Sequence, residues 1–180
     1  MTGTRILGLV LAGGKSSRFG SDKAEALLGG RSLLDHAITT LSAQCDAVVV
    51  VGRDTDKAHC LPDWPEAHRG PLGGLAAALV HAADTGFDAV LSIGVDCIDM
   101  PANLVECLRP APAYIESLPV VGLWPASAAE AVKAILTSDG RHSMRQLAET
   151  IGARAVTLGV APANVNTPDD LARLEARHGL

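Results

Sequence analysis

Three short stretches of the chain are almost wholly apolar: Ile6-Leu7-Gly8-Leu9-Val10, Ala47-Val48-Val49-Val50-Val51 and Ala89-Val90-Leu91-Ser92-Ile93-Gly94-Val95. A strand with one face in water alternates apolar and polar residues, so a continuous run points to a strand buried on both faces. Helix-period segments stand between the runs. Ser32 is placed to cap a helix to about Ala43, with Leu33, Leu34, Ala37, Ile38 and Leu41 on one face. Gly70-Pro71-Leu72-Gly73-Gly74 opens an alanine- and leucine-rich helix to about Ala83. Strand, helix, strand, helix, strand is the order of a parallel sheet with right-handed crossovers.

The second half is less regular. Leu118 to Trp124 reads as a strand, with Pro119 favouring its start or an edge. Helices are expected from about Ala126 to Leu136 and from His142 to Ile151, then a short strand from Ala155 to Leu158. Pro168 suits the first turn of a last helix ending near His178. Ala24 to Arg31 is expected to form an extended turn, and the polar stretch Arg53 to Arg69, with Pro62 and Pro65, a long loop. With 180 residues, 48% hydrophobic and only 3% aromatic, the chain suits one domain over residues 1–180 with an Ala, Leu, Val and Ile core. The expected architecture is a three-layer α/β/α domain around a mostly parallel sheet.

Composition narrows the partners. A net charge of −5 without a Lys/Arg cluster argues against nucleic acid. Cys45, Cys60, Cys97 and Cys107 show no C-x-x-C or zinc-like spacing and read as reduced thiols of a cytoplasmic protein. No apolar run approaches the ~20 residues that span a bilayer, so no membrane partner is expected.

Ligands of open α/β sheets bind at the carboxyl ends of the strands. Past the first run the chain reads Leu11-Ala12-Gly13-Gly14-Lys15-Ser16-Ser17-Arg18-Phe19-Gly20-Ser21-Asp22-Lys23. Glycines permit tight turns and close approach of a ligand, and backbone amides with cations around them form a concavity for anionic oxygens. A plain glycine turn would account for Gly13 and Gly14, but not for Lys15, Arg18 and Lys23 crowding the same stretch. It is therefore read as a phosphate loop. It lacks G-x-x-x-x-G-K-[ST] and G-x-G-x-x-G, so neither common glycine signature applies. Past the third run lies Asp96, a candidate Mg²⁺ ligand, because Mg²⁺ is commonly held by one or two carboxylates plus phosphate oxygens. An aspartate there can also cap the next helix, and Asp99 is read first as such a cap. Asn164 and Asn166 flank Val165, so an extended backbone puts both on one face. Gly140-Arg141-His142-Ser143-Met144-Arg145 is a basic helix start suited to a phosphate or to solvent.

Leu11 to Ala24 resembles the signature of nucleotidyltransferases with a Rossmann-like, GT-A-like fold, and within them most resembles the molybdenum cofactor guanylyltransferases. Gly70-Pro71-Leu72-Gly73-Gly74-Leu75, Val95-Asp96-Cys97 with Pro101, and Asn164-Val165-Asn166-Thr167-Pro168-Asp169-Asp170-Leu171 fall where that family's segments would. The resemblance covers essentially the whole chain. It implies transfer of GMP from GTP to molybdopterin with release of pyrophosphate, Mg²⁺ as cofactor, and transient proteins that deliver and receive the pterin. It further implies that Leu11, Ala12, Gly13, Gly14, Lys23 and Asp96 bind the nucleotide, that Arg18, Lys23 and Asp96 are catalytic, and that Asp96 holds the metal. Asn164 and Asn166 are read either as the loop into the last helix or, by resemblance, as the acceptor side.

Three positions depart from the family's pattern. Val51 stands where many members carry Asn, Ile98 where a proline usually follows the metal aspartate, and only Asp63 or Glu66 can match an aspartate before Gly70. Competing readings are the same chemistry with CTP, a sugar-phosphate nucleotidyltransferase, and a non-catalytic nucleotide-binding module. Gly13-Gly14 favours guanine, since related cytidylyltransferases tend to show Leu-Ala-Ala-Gly. Lys23 and Asp96 together argue against the module.

Overall fold

The structure, a computed structural model, describes residues 3–14 and 22–179. The apolar runs form β1 (Ile6–Leu11), β4 (Ala47–Val51) and β6 (Ala89–Gly94), and β1 pairs in parallel with both others. Two residues each of β2 (Leu27–Leu28) and β3 (Arg31–Ser32) make a small hairpin before α1 (Leu33–Ser42), so the stretch expected as a turn is a turn with paired ends. Ser32 caps α1 by accepting the Asp35 amide, and the apolar face is the expected one, with Ile38 only partly buried.

The stretch expected as a loop before α2 (Gly70–Thr85) contains β5 (His59–Leu61), which pairs in parallel with β4 at the sheet edge. Past β6 come β7 (Cys97–Ile98), α3 (Leu104–Leu108) and β8 (Ala113–Ile115), which carry no clear period in the sequence. Then β9 (Leu118–Pro125) enters antiparallel to both β6 and β8, with a register shift that leaves Pro119 near its start. A 3₁₀ turn leads into α4 (Ala129–Thr137), and α5 (Met144–Thr150) is shorter than expected because Ser143 caps it. β10 (Arg154–Val156) pairs in parallel with β8. β11 (Ala163–Asn164) crosses β7, and Thr167 and Asp170 form a capping box on α6 (Pro168–His178).

The main sheet has the order β10-β8-β9-β6-β1-β4-β5. Only β9 runs against the other six strands. Alternation along β1 splits the core: Ile6 and Val10 pack with α1, α3 and α6, while Leu7 and Leu9 pack with α2, α4 and α5. Each fully buried Leu or Val contributes roughly 1.5–3 kcal/mol, so the two apolar layers fix the strands that carry the carboxyl edge. Glycine serves α2 here: a Cβ on Gly74 would stand 2.5 Å from a Leu11 methyl and 3.2 Å from a Val51 methyl, so its absence lets the helix lie close against the strand ends. No helix among the described residues is long and apolar enough to cross a membrane.

Candidate active site

The carboxyl edge of the sheet gathers two groups of residues. One is a cleft of about 970 Å³ lined by Leu11, Gly13, Gly14, Val51, Arg53 and Asp63, with further walls from Leu61, Pro62 and Pro71. Its size and mixed apolar and polar lining suit a small-molecule ligand. The chain after β4 passes close to the glycine loop: a Cβ on Gly52, which has φ 94°, would lie 2.3 Å from Gly13 Cα. That contact brings Arg53 onto the cleft wall. Asp63, rather than Glu66, faces the cleft; its Oδ2 accepts the His68 amide at 3.1 Å, while Glu66 pairs with Arg69.

The second group is charged. Lys23 opens a 3₁₀ turn (Lys23–Glu25) capped by Asp22, and its Nζ donates to Asp96 Oδ2 at 3.0 Å and to Asn166 Oδ1 at 3.3 Å. Three segments far apart in sequence thus meet at one ammonium group. The side chains of Lys23 and Asp96 are 16% and 25% exposed, so the pair is partly shielded yet reachable from solvent. Asp96 is positioned by the end of β6, where the Val95 amide donates to the Leu11 carbonyl at 3.0 Å. Its own carbonyl accepts the Val165 amide, also at 3.0 Å, and Cys97 pairs with Asn164 across β7 and β11. Burial, then the neighbouring Asp96 charge, pushes the Cys97 thiol up to about 12, which leaves it a weak donor to Asp96 Oδ1 at 3.7 Å.

Lys23, Asp96 and Asn166 therefore come together, and Leu11, Gly13 and Gly14 line the adjoining cleft. Ala12 differs from expectation: its amide is spent on the Val51 carbonyl at 2.9 Å, so the amides suited to an anion narrow to Gly13 and Gly14. Arg18 and Lys15 lie outside the described residues. Asp99 caps no helix; its carboxylate pairs with Arg177 and His178 at the end of α6, and Asn103 stands before α3. Arg145 donates to the Glu116 carbonyl at the β8–β9 turn, which shares the carboxyl edge. Thr167 is the N-cap of α6, and the same box holds Asn166 through its backbone amide on Asp170 Oδ2 at 3.0 Å.

Two buried side-chain atoms lack a partner among the described residues: Nε of Arg53, a residue of the cleft wall, and Oδ1 of Asn164, which pairs through its backbone with Cys97. No described group of three or more His, Cys, Asp or Glu could hold a metal by itself. The available donors are one carboxylate and amide oxygens, all hard, with one oxygen orphaned. That set fits a divalent cation completed by ligand phosphates and water. Nothing in the polar stretch after β4 marks Arg53 in the sequence; only the Gly52–Gly13 contact does.

Residues 8–158 match the model of the MobA-like NTP transferase domain. The chain is 37% identical over 193 residues to the molybdenum cofactor guanylyltransferase of Rhizobium leguminosarum bv. trifolii, covering 96% of this chain and 92% of that protein. It is 35% identical to the molybdenum cofactor guanylyltransferase of Acidiphilium cryptum, covering 97% and 96%. Among solved structures, molybdopterin-guanine dinucleotide biosynthesis protein A from Archaeoglobus fulgidus superposes with a TM-score of 0.75 at 21% identity, over 96% of this chain and 98% of that one. The 2-C-methyl-D-erythritol 4-phosphate cytidylyltransferase of Thermus thermophilus shares the fold more distantly, with a TM-score of 0.64 at 16% identity over 96% and 98%. A match over most of the chain, with relatives above 30% identity at nearly full length, places it by sequence as well as by shape: the chain belongs to the MobA-like NTP transferase family, and it is a nucleotidyltransferase.

Proposed function

We propose that the chain, acting as one catalytic domain over residues 1–180, transfers GMP from GTP to the phosphate of molybdopterin and releases pyrophosphate. The relatives' names supply the substrates, and the meeting of Lys23, Asp96 and Asn166 beside the glycine-lined cleft carries the reading. The base and ribose occupy the cleft. Asp63 on its wall is an acceptor-only group. It suits guanine, whose N1–H and N2–H₂ are adjacent donors, and opposes cytosine, whose N3 is an acceptor. The triphosphate runs past the Gly13 and Gly14 amides toward Lys23, and Arg18 is assigned to the same phosphates.

The attacking group is a phosphate monoester with a second pKa of about 6, so it is already largely dianionic at neutral pH. No protein base is needed. The protein's task is to neutralise charge and hold nucleophile and leaving group in line, as in phosphoryl transfer generally. Lys23 supplies fixed positive charge at the triphosphate, and Asp96, with the oxygens of Asn164 and Asn166, would hold Mg²⁺. When bound, that ion supplies further charge neutralisation to the phosphates. Asn164 and Asn166 face the acceptor side, and the Gly140–Arg145 helix start is assigned to the acceptor's phosphate.

Cys45, Cys60, Cys97 and Cys107 are free thiols, which suits a reducing cytoplasm. Handover to transient donor and recipient proteins suits a reactive pterin. Calorimetry with GTP and with CTP, each with Mg²⁺, tests the assignment. GTP should bind at least tenfold more tightly, and equal affinity would remove the guanine assignment.

A further inference from the structure

Arg53 occupies a position that the nucleotide reading does not use. Its guanidinium is a fork: Nη1 donates to Asp22 Oδ1 at 3.0 Å, and Nη2 meets Asp22 Oδ2 and Glu25 Oε1, each at 2.9 Å. Asp22 and Glu25 bracket the turn that presents Lys23, and Asp22 also caps that turn by accepting the Ala24 amide at 3.1 Å. One side chain, only 18% exposed, thus holds both carboxylates that flank Lys23. The same side chain lines the cleft, and its Nε is buried without a partner among the described residues. A planar fork can hold two carboxylates at once in a fixed plane, which a single ammonium cannot do.

We propose that Arg53 is a positioning residue: it sets the Lys23 turn from the cleft wall and so couples occupancy of the nucleoside cleft to the placement of the phosphate cation. A nucleotide packed against the Arg53 side chain on the cleft wall would restrict that side chain and stiffen the clamp. Lys23 would then be fixed most firmly when the cleft is filled. The coupling to nucleotide rests on the GTP reading; the clamp on Lys23 does not.

Two measurements test it. In a nucleotide-free crystal structure of Arg53→Ala, the Lys23 turn should shift and the 3.0 Å contact to Asp96 should be lost; a retained contact overturns the clamp whatever the nucleotide is. Calorimetry with GTP on Arg53→Ala, Lys23→Ala and the double variant then reads the coupling. Each single change should weaken binding about tenfold or more, with the double no weaker than Lys23→Ala within about twofold. Independent losses that multiply would overturn the inference, as would Arg53→Lys binding GTP like the wild type. If the wild-type protein bound no GTP while the turn still shifted in Arg53→Ala, the GTP reading and the nucleotide coupling would fall and the clamp would stand.

Discussion

The Asp96 carboxylate is held from both sides. Oδ2 meets Lys23, and Oδ1 lies where a Cβ on Gly94 would be only 2.6 Å away, with Cys97 Sγ beside it. Gly94→Ala should therefore displace the carboxylate without emptying the core, and steady-state kinetics should show a lower kcat while the protein still melts cooperatively. Asp96→Ala should abolish Mg²⁺-dependent turnover; near-normal turnover would remove Asp96 from the metal site. Lys23→Ala should cost on the order of a hundredfold in kcat/KM, the scale seen when one charge-stabilising donor is lost. Lys23 and Asp96 were legible because each follows an apolar run at the carboxyl edge, one closing the glycine stretch and the other ending the third run. Arg53 was not, since an arginine in a polar stretch has no signature until its carboxylate partners are in place.

At the scale of elements, the capping box of α6 does more than start a helix. Asp170 accepts the backbone amides of Asn166 and Thr167, so the box fixes the segment whose Asn166 side chain reaches Lys23. The Asn166 amide, then the Thr167 hydroxyl, hold the Asp170 carboxyl down from 3.8 to about 2. A depressed carboxyl stabilises the folded chain above its unfolded value and loses that contribution as pH falls toward about 2. Asp170→Asn should thus melt lower than the wild type at neutral pH, with the gap closing on acidification; a constant gap would contradict the assignment. Elsewhere, Trp124 is fully buried, donates to Ser92 Oγ at 2.9 Å and stacks on Tyr114. Urea unfolding of Trp124→Ala should show a loss of about 3–5 kcal/mol. The helical period of α1 and the continuous apolar run of β1 could be read directly. β5, β7, β8 and β11 could not, because strands of two or three residues show no period and exist only through their partners.

At the scale of the molecule, both apolar layers serve one edge. β1 ends in the glycine loop, β4 in Gly52 and Arg53, and β6 in Asp96, while β11 and the start of α6 bring Asn164 and Asn166 across from the far end of the chain. The parallel sheet was legible from three buried runs. The reversed strand β9, which lies between β8 and β6, was not, since nothing in Leu118–Trp124 distinguishes a parallel from an antiparallel partner. The cleft was likewise hidden, because half its wall comes from the irregular stretch around β5. The proposed transfer of GMP from GTP to a pterin phosphate takes place at this edge. Pyrophosphate release, measured with GTP or CTP and with or without molybdopterin and Mg²⁺, tests it most directly. Release should require GTP, molybdopterin and Mg²⁺ together; release with CTP but not GTP, or with neither, would contradict it.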